Sequence, residues 1–504
     1  MPAAKPSHPS AIELLTPLSQ PALDPTKPND VPNPGSPNRV AILVCHGMGQ
    51  QVRFETLMDL ANAIQRSARS EVRGKIGARA VRIGEKERQL DTHRVEMTLR
   101  TDAGAERQVH LYEAYWAPLT EGKVGIRDVI SFLLTAGWGG WVNVRGKIFR
   151  RWMFGRTIDH PIQKTSTRRK LLGVLAIVLS LLVINAAVAV VGIARATTIG
   201  PVGWPPSDLV RRLAVEVLIL LGVMVAAGTA VSSKDPRLAW PLIWAALAGT
   251  VGIAAVMVFE LARSLCSPAS STNLSCWLAL FLVFLWAALI ALSRRVRYFL
   301  IQYVGDVAAY VSAHTVSRFA EVREAIQKAS FSVARAVYTA VSKDGGAFAY
   351  GKVIVVGHSL GSVVAYDTLN AMIREDRVAA TSYAAVSRTP LLLTFGSPLN
   401  KTAFIFRTQM PEGSELREAL AASVQPMIQS YDLRPAQWVN IYAPADWISG
   451  PLEFYDDPED RDPEHRSKQV KNITDPDATT PLGAHVEYWG NRTLADRLTE
   501  AVFG

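Results

Sequence analysis

The chain has 504 residues, and at roughly 150 residues per domain that allows about three domain-sized units. Hydrophobic residues make up 49% and charged residues only 19%, which is too apolar for a disordered tail protein and points to a membrane-embedded portion. The 54 Lys+Arg against 44 Asp+Glu leave a modest +10 that does not imply nucleic acid, and three cysteines exclude a disulfide-built scaffold.

Prolines recur from Pro2 to Pro37 with few large apolar residues between them, so residues 1–37 read as a disordered, Pro-rich tail. No basic segment leads into an apolar one there, so a cleaved secretory signal is not expected and the chain is expected to start in the cytoplasm. Ordered sequence begins at Arg39. The apolar run Val40-Ala41-Ile42-Leu43-Val44 predicts a buried strand that ends in the loop His46-Gly47-Met48-Gly49. Residues 95–100 and 109–115 flank the turn-like Asp102-Ala103-Gly104 and predict two strands joined as a hairpin. The segment from Phe132 to Trp152, with Trp138 and Trp141, reads either as an interfacial helix on an anionic leaflet or as an ordinary packed helix.

Four apolar stretches follow, Leu171–Ala194, Leu213–Val231, Leu238–Phe259 and Cys276–Leu292. Each is close to the roughly 20 residues that cross about 30 Å of hydrocarbon, and together they predict four transmembrane helices within residues 166–297. Basic residues crowd both flanks, Arg145 to Lys170 before the first span and Arg294, Arg295 and Arg297 after the last. Both ends, and both termini of the chain, are therefore expected in the cytoplasm. Cys266 and Cys276 fall beside the third loop, on the outer side in this topology, where they either pair or remain inert thiols.

Beyond the spans, residues 298–341 carry apolar positions at helical spacing with no proline and predict one or two long helices, a connector over 298–345. From Gly351 onward, short apolar runs alternate with helical patterns, which predicts βαβ units and a parallel sheet. The run Val353-Ile354-Val355-Val356 leads into Gly357-His358-Ser359-Leu360-Gly361 and then a helix from Ser362 to Arg374. Strand, tight turn and helix in that order form a nucleophile elbow, a bend that projects the Ser359 hydroxyl above the sheet. A bare G-x-S-x-G arises by chance in roughly one chain of this length in six; its place between a buried strand and a helix is what makes it specific.

With Cys45-His46-Gly47-Met48-Gly49, Gly357-His358-Ser359-Leu360-Gly361, Phe395-Gly396-Ser397-Pro398-Leu399 and a late Asp and His, the chain resembles the α/β-hydrolase superfamily. The likeness is greatest to lipase-like members such as class 3 lipases and inositol-deacylase-like proteins. The resemblance covers the two ends of the chain and none of the apolar block. It implies an acyl-enzyme mechanism with the triad in the order Ser, Asp, His.

A serine hydroxyl needs a neutral imidazole to take its proton, and that imidazole needs a carboxylate on its other nitrogen. Downstream of Ser359 the histidines are His465, in an acidic run, and His485, which follows a Pro481-Leu482-Gly483 turn after an expected last strand over 469–473. His485 is the preferred base. Asp446, four residues beyond the expected strand Trp438-Val439-Asn440-Ile441-Tyr442, is the preferred acid, with Asp432 and Asp456 as rivals and Asp367 read as structural. Ser397 is expected to line the site. The oxyanion donors are expected to be the N–H of Leu360 and, as the resemblance suggests, an N–H of the Gly47-Met48 segment.

The expected architecture is thus α/β, an α/β-hydrolase fold of mostly parallel sheet flanked by helices, split by the inserted four-helix transmembrane block into parts 38–165 and 346–504. An even number of spans returns His46 and Ser359 to one compartment, as a shared pocket requires. The expected activity is a membrane serine hydrolase cleaving carboxylic esters with no cofactor and no metal. Its expected partners are the lipid bilayer and a lipid or other acyl-ester substrate, with no nucleic acid. Membrane acyltransferase or thioesterase chemistry on the same triad, or a non-catalytic membrane scaffold, are the alternatives.

Overall fold

The computed structural model describes residues 39–124 apart from 50, 68 and 86–87, the strands 149–153 and 156–160, and 305–504 apart from 312–316, 342–347, 379–383, 409–424, 458–468 and 481–482, with isolated positions elsewhere. The chain divides into two compact units, one of Met1–Gly125, Ile148–His160 and Asp306–Gly504, the other of Ile126–Lys147 and Pro161–Gly305. Of the second unit only scattered helical positions, at 128–129, 132, between 241 and 249 and at 305, are described.

The first unit is built on an eight-stranded sheet. Its strands are β1 (Arg39–Cys45), β2 (Glu71–Glu85), β3 (Arg88–Arg100), β4 (Glu106–Ala114), β7 (Lys352–His358), β8 (Leu391–Phe395), β9 (Gln437–Tyr442) and β10 (Lys471–Thr474). A separate antiparallel pair, β5 (Phe149–Met153) and β6 (Arg156–His160), lies between β4 and β7 in sequence. The helices used below are α1 (Glu55–Gln65), α2 (Gly305–Val311), α3 (Ser317–Tyr338), α4 (Leu360–Val378), α5 (Leu399–Thr408), α6 (Ala484–Glu487) and α7 (Arg492–Phe503).

The sheet order is β10-β9-β8-β7-β1-β4-β3-β2. Six strands, from β10 to β4, run parallel, and β3 pairs antiparallel with both β4 and β2. Parallel strands are covered on both faces and read as continuous apolar runs, which is why every residue of β1 is buried. Val40, Ile42 and Val44 enter a core with Leu57, Leu60, Ala61 and Ile64 of α1 and Leu494, Leu498 and Val502 of α7. The α1 residues recur at positions i, i+3, i+4 and i+7, one stripe of the helix. The alternate residues of β1 face the other side, where α3 and α4 pack on the sheet and on each other.

The parallel pairing of β1 with β7, Val40 opposite Lys352 through Cys45 opposite Gly357, places the two distant elements side by side. From β1 the chain passes to the edge strand β2, returns through β3 to β4 beside β1, and then builds outward from β7 to β10 on the other side. The reversal lies between β1 and β7, and in open α/β sheets ligands bind outside the carboxyl ends of the strands at such a switch point.

The expected 3-residue turn forms as read: Gly104, with φ 83°, donates its N–H to Thr101 O at 2.8 Å between β3 and β4. β2, unforeseen in the sequence, extends the sheet beyond that hairpin, because Arg, Gly and Glu interrupt its apolar alternation. The expected helix to Trp152 is corrected at its end, where Phe149–Met153 is a strand paired with Arg156–His160; most of it lies outside the described residues.

The four-span, integral-membrane localisation with a cytoplasm-facing catalytic domain and cytoplasmic termini is also corrected. Among the described residues no helix is long and apolar enough to cross a membrane. An apolar run near 20 residues supplies the length of a crossing but does not by itself establish a helix. The four stretches lie outside the described residues except for isolated positions in the third, and Cys266 and Cys276 lie outside them too. The inserted transmembrane block is therefore no part of the fold established here, which is a mostly parallel α/β sheet with flanking helices.

Candidate active site

Ser359 stands between the last residue of β7 and the first of α4, with φ 54°. A non-glycine residue in this left-handed region is strained by about 1–3 kcal/mol and persists only where the surroundings hold it. The Ser359 N–H donates to Phe395 O of β8 at 3.0 Å, and the Ser359 carbonyl accepts from Ser362 N–H at 3.0 Å and Ser362 Oγ at 2.6 Å. The flanking glycines admit the bend. A Cβ on Gly357 would stand 2.5 Å from Ser362 Cα, and one on Gly361 would collide with the carbonyl oxygens of Cys45 and His46.

His485, in the single turn of α6 beyond β10, lies between Ser359 and Asp446. Its Nε2 is 2.7 Å from Ser359 Oγ and its Nδ1 is 2.9 Å from Asp446 Oδ2. A carboxylate only accepts, so Nδ1 carries the proton and Nε2 is left to accept from the serine hydroxyl. Asp446 follows β9 and is buried at 2% exposure. Its Oδ1 accepts from Ile448 N–H at 2.9 Å, and its Oδ2 accepts from Tyr488 OH at 2.9 Å as well as from His485. Burial alone would raise this carboxyl. The hydrogen bond and charge of His485, the Ile448 N–H and the Ser449 hydroxyl outweigh it and hold Asp446 well below the usual carboxylate range.

The loop carrying Asp446 is clamped from α5. Lys401 Nζ donates to the carbonyls of Ile448 at 2.6 Å and Ser449 at 2.7 Å, and Asn400 Nδ2 donates to Pro451 O at 2.6 Å. The backbone of His485 is held as well: its carbonyl accepts from His358 Nε2 at 2.9 Å. His358 is buried and stacks on Phe395 with ring centroids 4.8 Å apart. Burial, with the neighbouring His485, lowers it to about 3, so the ring stays neutral and keeps the Nε2–H that this bond needs.

The loop after β1 closes the other side of the nucleophile. A Cβ on Gly47 would fall 3.1 Å from Ser359 Cβ, so the loop backbone lies against the serine. His46 shapes that loop. Its Nε2 accepts from Trp116 N–H at 3.0 Å, its Nδ1 therefore donates to Gly47 O at 2.8 Å, and its ring stacks on Trp116. Burial lowers His46 to about 4, which keeps it neutral. Leu360 opens α4, so its N–H belongs to the first turn, whose donors have no acceptor within the helix. The Gly47 backbone and the Leu360 N–H thus both lie beside Ser359.

The structure brings Ser359, Asp446, His485, Gly357, His358, Leu360, Gly361, Gly47 and Met48 to the carboxyl ends of β1, β7, β9 and β10, at the switch point. The rivals are placed elsewhere. Asp456 accepts from Val470 N–H, Asp367 accepts from Tyr310, Arg323 and Gln327 between helices, Asp432 is exposed, and His465 lies outside the described residues. Ser397 Oγ is 2.7 Å from Ser362 Oγ behind the elbow. Tyr488, Ser449 and Lys401 were missed in the sequence. Only Tyr488 carried a signal, as an aromatic three residues after His485. Cys45, beside His46, is buried, and burial pushes its thiol up to about 12, which leaves it protonated. Among the described residues no group of three or more His, Cys, Asp or Glu is placed to hold a metal ion. Comparison with protein-family models, with curated proteins and with solved structures finds no match to this chain.

Proposed function

We propose that the protein is a serine hydrolase of the α/β-hydrolase type that cleaves carboxylic esters through an acyl-enzyme. The observation that carries this reading is His485, bonded through Nε2 to Ser359 Oγ at 2.7 Å and through Nδ1 to Asp446 Oδ2 at 2.9 Å. The left-handed Ser359 at the switch point and the Gly47 backbone against its Cβ support it.

In this mechanism the Ser359 hydroxyl gives its proton to His485 Nε2 as Oγ attacks the ester carbonyl carbon. Asp446 keeps the imidazole oriented and stabilises the imidazolium that forms. The oxyanion accepts from Leu360 N–H and from the Gly47-Met48 segment. Collapse breaks the bond to the alcohol, which leaves with the proton from His485. Water, deprotonated by the same nitrogen, then attacks the acyl-enzyme and regenerates Ser359. The site chemistry supports attack on an acyl carbonyl, of which an ester is the expected form. A lipid ester is the substrate class that the resemblance to lipase-like proteins implies.

The test is covalent labelling of the full chain by a fluorophosphonate probe. The native protein is expected to label and the Ser359→Ala variant to remain unlabelled. Equal labelling of the variant would refute the assignment.

A further inference from the structure

A buried carboxylate that the chemistry above does not use, Asp306, lies directly on the oxyanion loop. Its Oδ2 accepts the Gly49 N–H at 2.8 Å, across a sequence separation of 257 residues. Gly49 closes the His46-Gly47-Met48-Gly49 loop with φ 98°. Asp306 is 6% exposed and is also bonded to the side chain of Thr120. It is the first residue of the catalytic unit after the long stretch Pro161–Gly305. Burying a carboxylate is unfavourable unless its bonds are well made. Here burial raises the group to about 6, and the bonds from Gly49 and Thr120 only partly offset that.

The contacts of α2 show what that carboxylate is tied to. Within this helix Ala308, Ala309 and Tyr310 are buried, and Tyr310 OH donates to Asp367 Oδ2 at 2.7 Å. Asp367 belongs to α4, whose first residue is Leu360. Arg323 and Gln327 of α3 bond the same carboxylate oxygen at 3.3 and 3.1 Å. One chain of bonds therefore runs from the Gly49 amide through Asp306 and α2 to the helix that carries the other oxyanion donor. On its far side the loop is held by Trp116, Gly47 and the His46 ring.

We propose that Asp306 is the positioning residue of the oxyanion hole, setting the Gly47-Met48 N–H groups at a fixed place relative to Leu360 N–H and Ser359. The proposal rests on the serine hydrolase reading. Asp306 touches neither substrate nor reacting atoms, so its loss lowers transition-state stabilisation and leaves ground-state binding intact.

Two substitutions separate this role from general support of the fold. Asp306→Asn keeps an oxygen that accepts the Gly49 N–H, whereas Asp306→Leu fills the same space without an acceptor. With an activated ester, Asp306→Leu is expected to lower kcat by roughly 10- to 100-fold, less than deletion of an oxyanion donor outright, with KM within about threefold. Asp306→Asn is expected to recover kcat to within about fivefold of the native protein. Both are expected to label completely, though slowly, with fluorophosphonate. Native-like kcat in Asp306→Leu, or equal loss of kcat in the two variants, would overturn the proposal.

A second measurement needs no variant. Hydrogen–deuterium exchange of a peptide covering residues 46–51 of the native protein is expected to show a protected Gly49 amide, and exchange at the rate of an open loop would also overturn the proposal. Failure of the parent reading is distinguishable from either result, because ester turnover that survives Ser359→Ala would leave Gly49 protection unchanged.

Discussion

Tyr488 OH and His485 Nδ1 donate to one and the same oxygen of Asp446, each at 2.9 Å. The two donors lie three residues apart, His485 within α6 and Tyr488 just after it, so one turn of backbone delivers both to the same carboxylate. The tyrosine oxygen accepts in turn from Ala443 N–H at 2.9 Å and lies 3.1 Å from Ser449 Oγ. It joins the end of β9 to the acid loop.

Tyr488→Phe is expected to leave the Ala443 N–H buried without its acceptor and Asp446 one donor short. An unsatisfied buried group destabilises by about 1–3 kcal/mol, readable as a lower urea midpoint. Because the carboxylate loses orientation, kcat should fall by roughly tenfold while KM stays near its native value. A variant with native kcat and native midpoint would show that the shared oxygen is not held by this hydroxyl.

Gly361→Ala tests the close approach that forms the elbow. The added methyl meets the carbonyl oxygens of Cys45 and His46, backbone atoms at the end of β1 that have nowhere to move. A loss of more than about 3 kcal/mol, or failure to fold, is expected. Gly490→Ala is the control: no atom lies within 4 Å of its Cβ, so a change below about 0.5 kcal/mol is expected. Similar melting temperatures for the two variants would contradict the packing of α4 against β1.

Acid should destabilise the fold through its buried neutral histidines. Burial lowers His46 to about 4 and His358 to about 3, below the ordinary value of 6.5. Between those values the unfolded chain binds more protons, so their contribution is complete above pH 6.5 and is lost as pH falls. From pH 7 to pH 5 that amounts to about 2 kcal/mol for each histidine. Asp306, raised to about 6 by burial, works the other way, since its contribution is largest at low pH and is lost as pH rises through its folded value. It returns about 1 kcal/mol over the same interval. These three groups together lower stability by about 2–3 kcal/mol at pH 5 relative to pH 7, and His110, lowered by its burial, acts in the same direction; urea unfolding at both pH values measures the loss. An equal or higher midpoint at pH 5 would mean that these rings are not held neutral.

Where a single physical signal dominated, the sequence was legible. β1 and β7 are unbroken apolar runs, and such runs bounded by turns fold as strands buried on both faces. Ser359 was marked by glycines that a strand-to-helix bend requires, and His485 by elimination, because few downstream side chains can accept its proton. β2 escaped because its apolar positions are interrupted by Gly74 and Gly77 and by Arg73, Arg79 and Arg82, so no two-residue period survives. The apolar stretches between 171 and 292 lie outside the described residues except for isolated positions in the third, and no described helix is long and apolar enough to cross a membrane.

By itself, then, the sequence marked the α/β character of the chain, the elbow at Ser359, and His485 and Asp446 as the partners of its hydroxyl, because these depend on local patterning and on which side chains suit the proposed chemistry. Only the tertiary structure decided that β1 lies beside β7, that Gly47 packs on Ser359, that Tyr488 and Lys401 bond Asp446 and its loop, and that Asp306 bonds Gly49. Those relationships join residues far apart in the chain through single hydrogen bonds. No local propensity encodes such a bond, because its partner is chosen by the packing of the whole sheet.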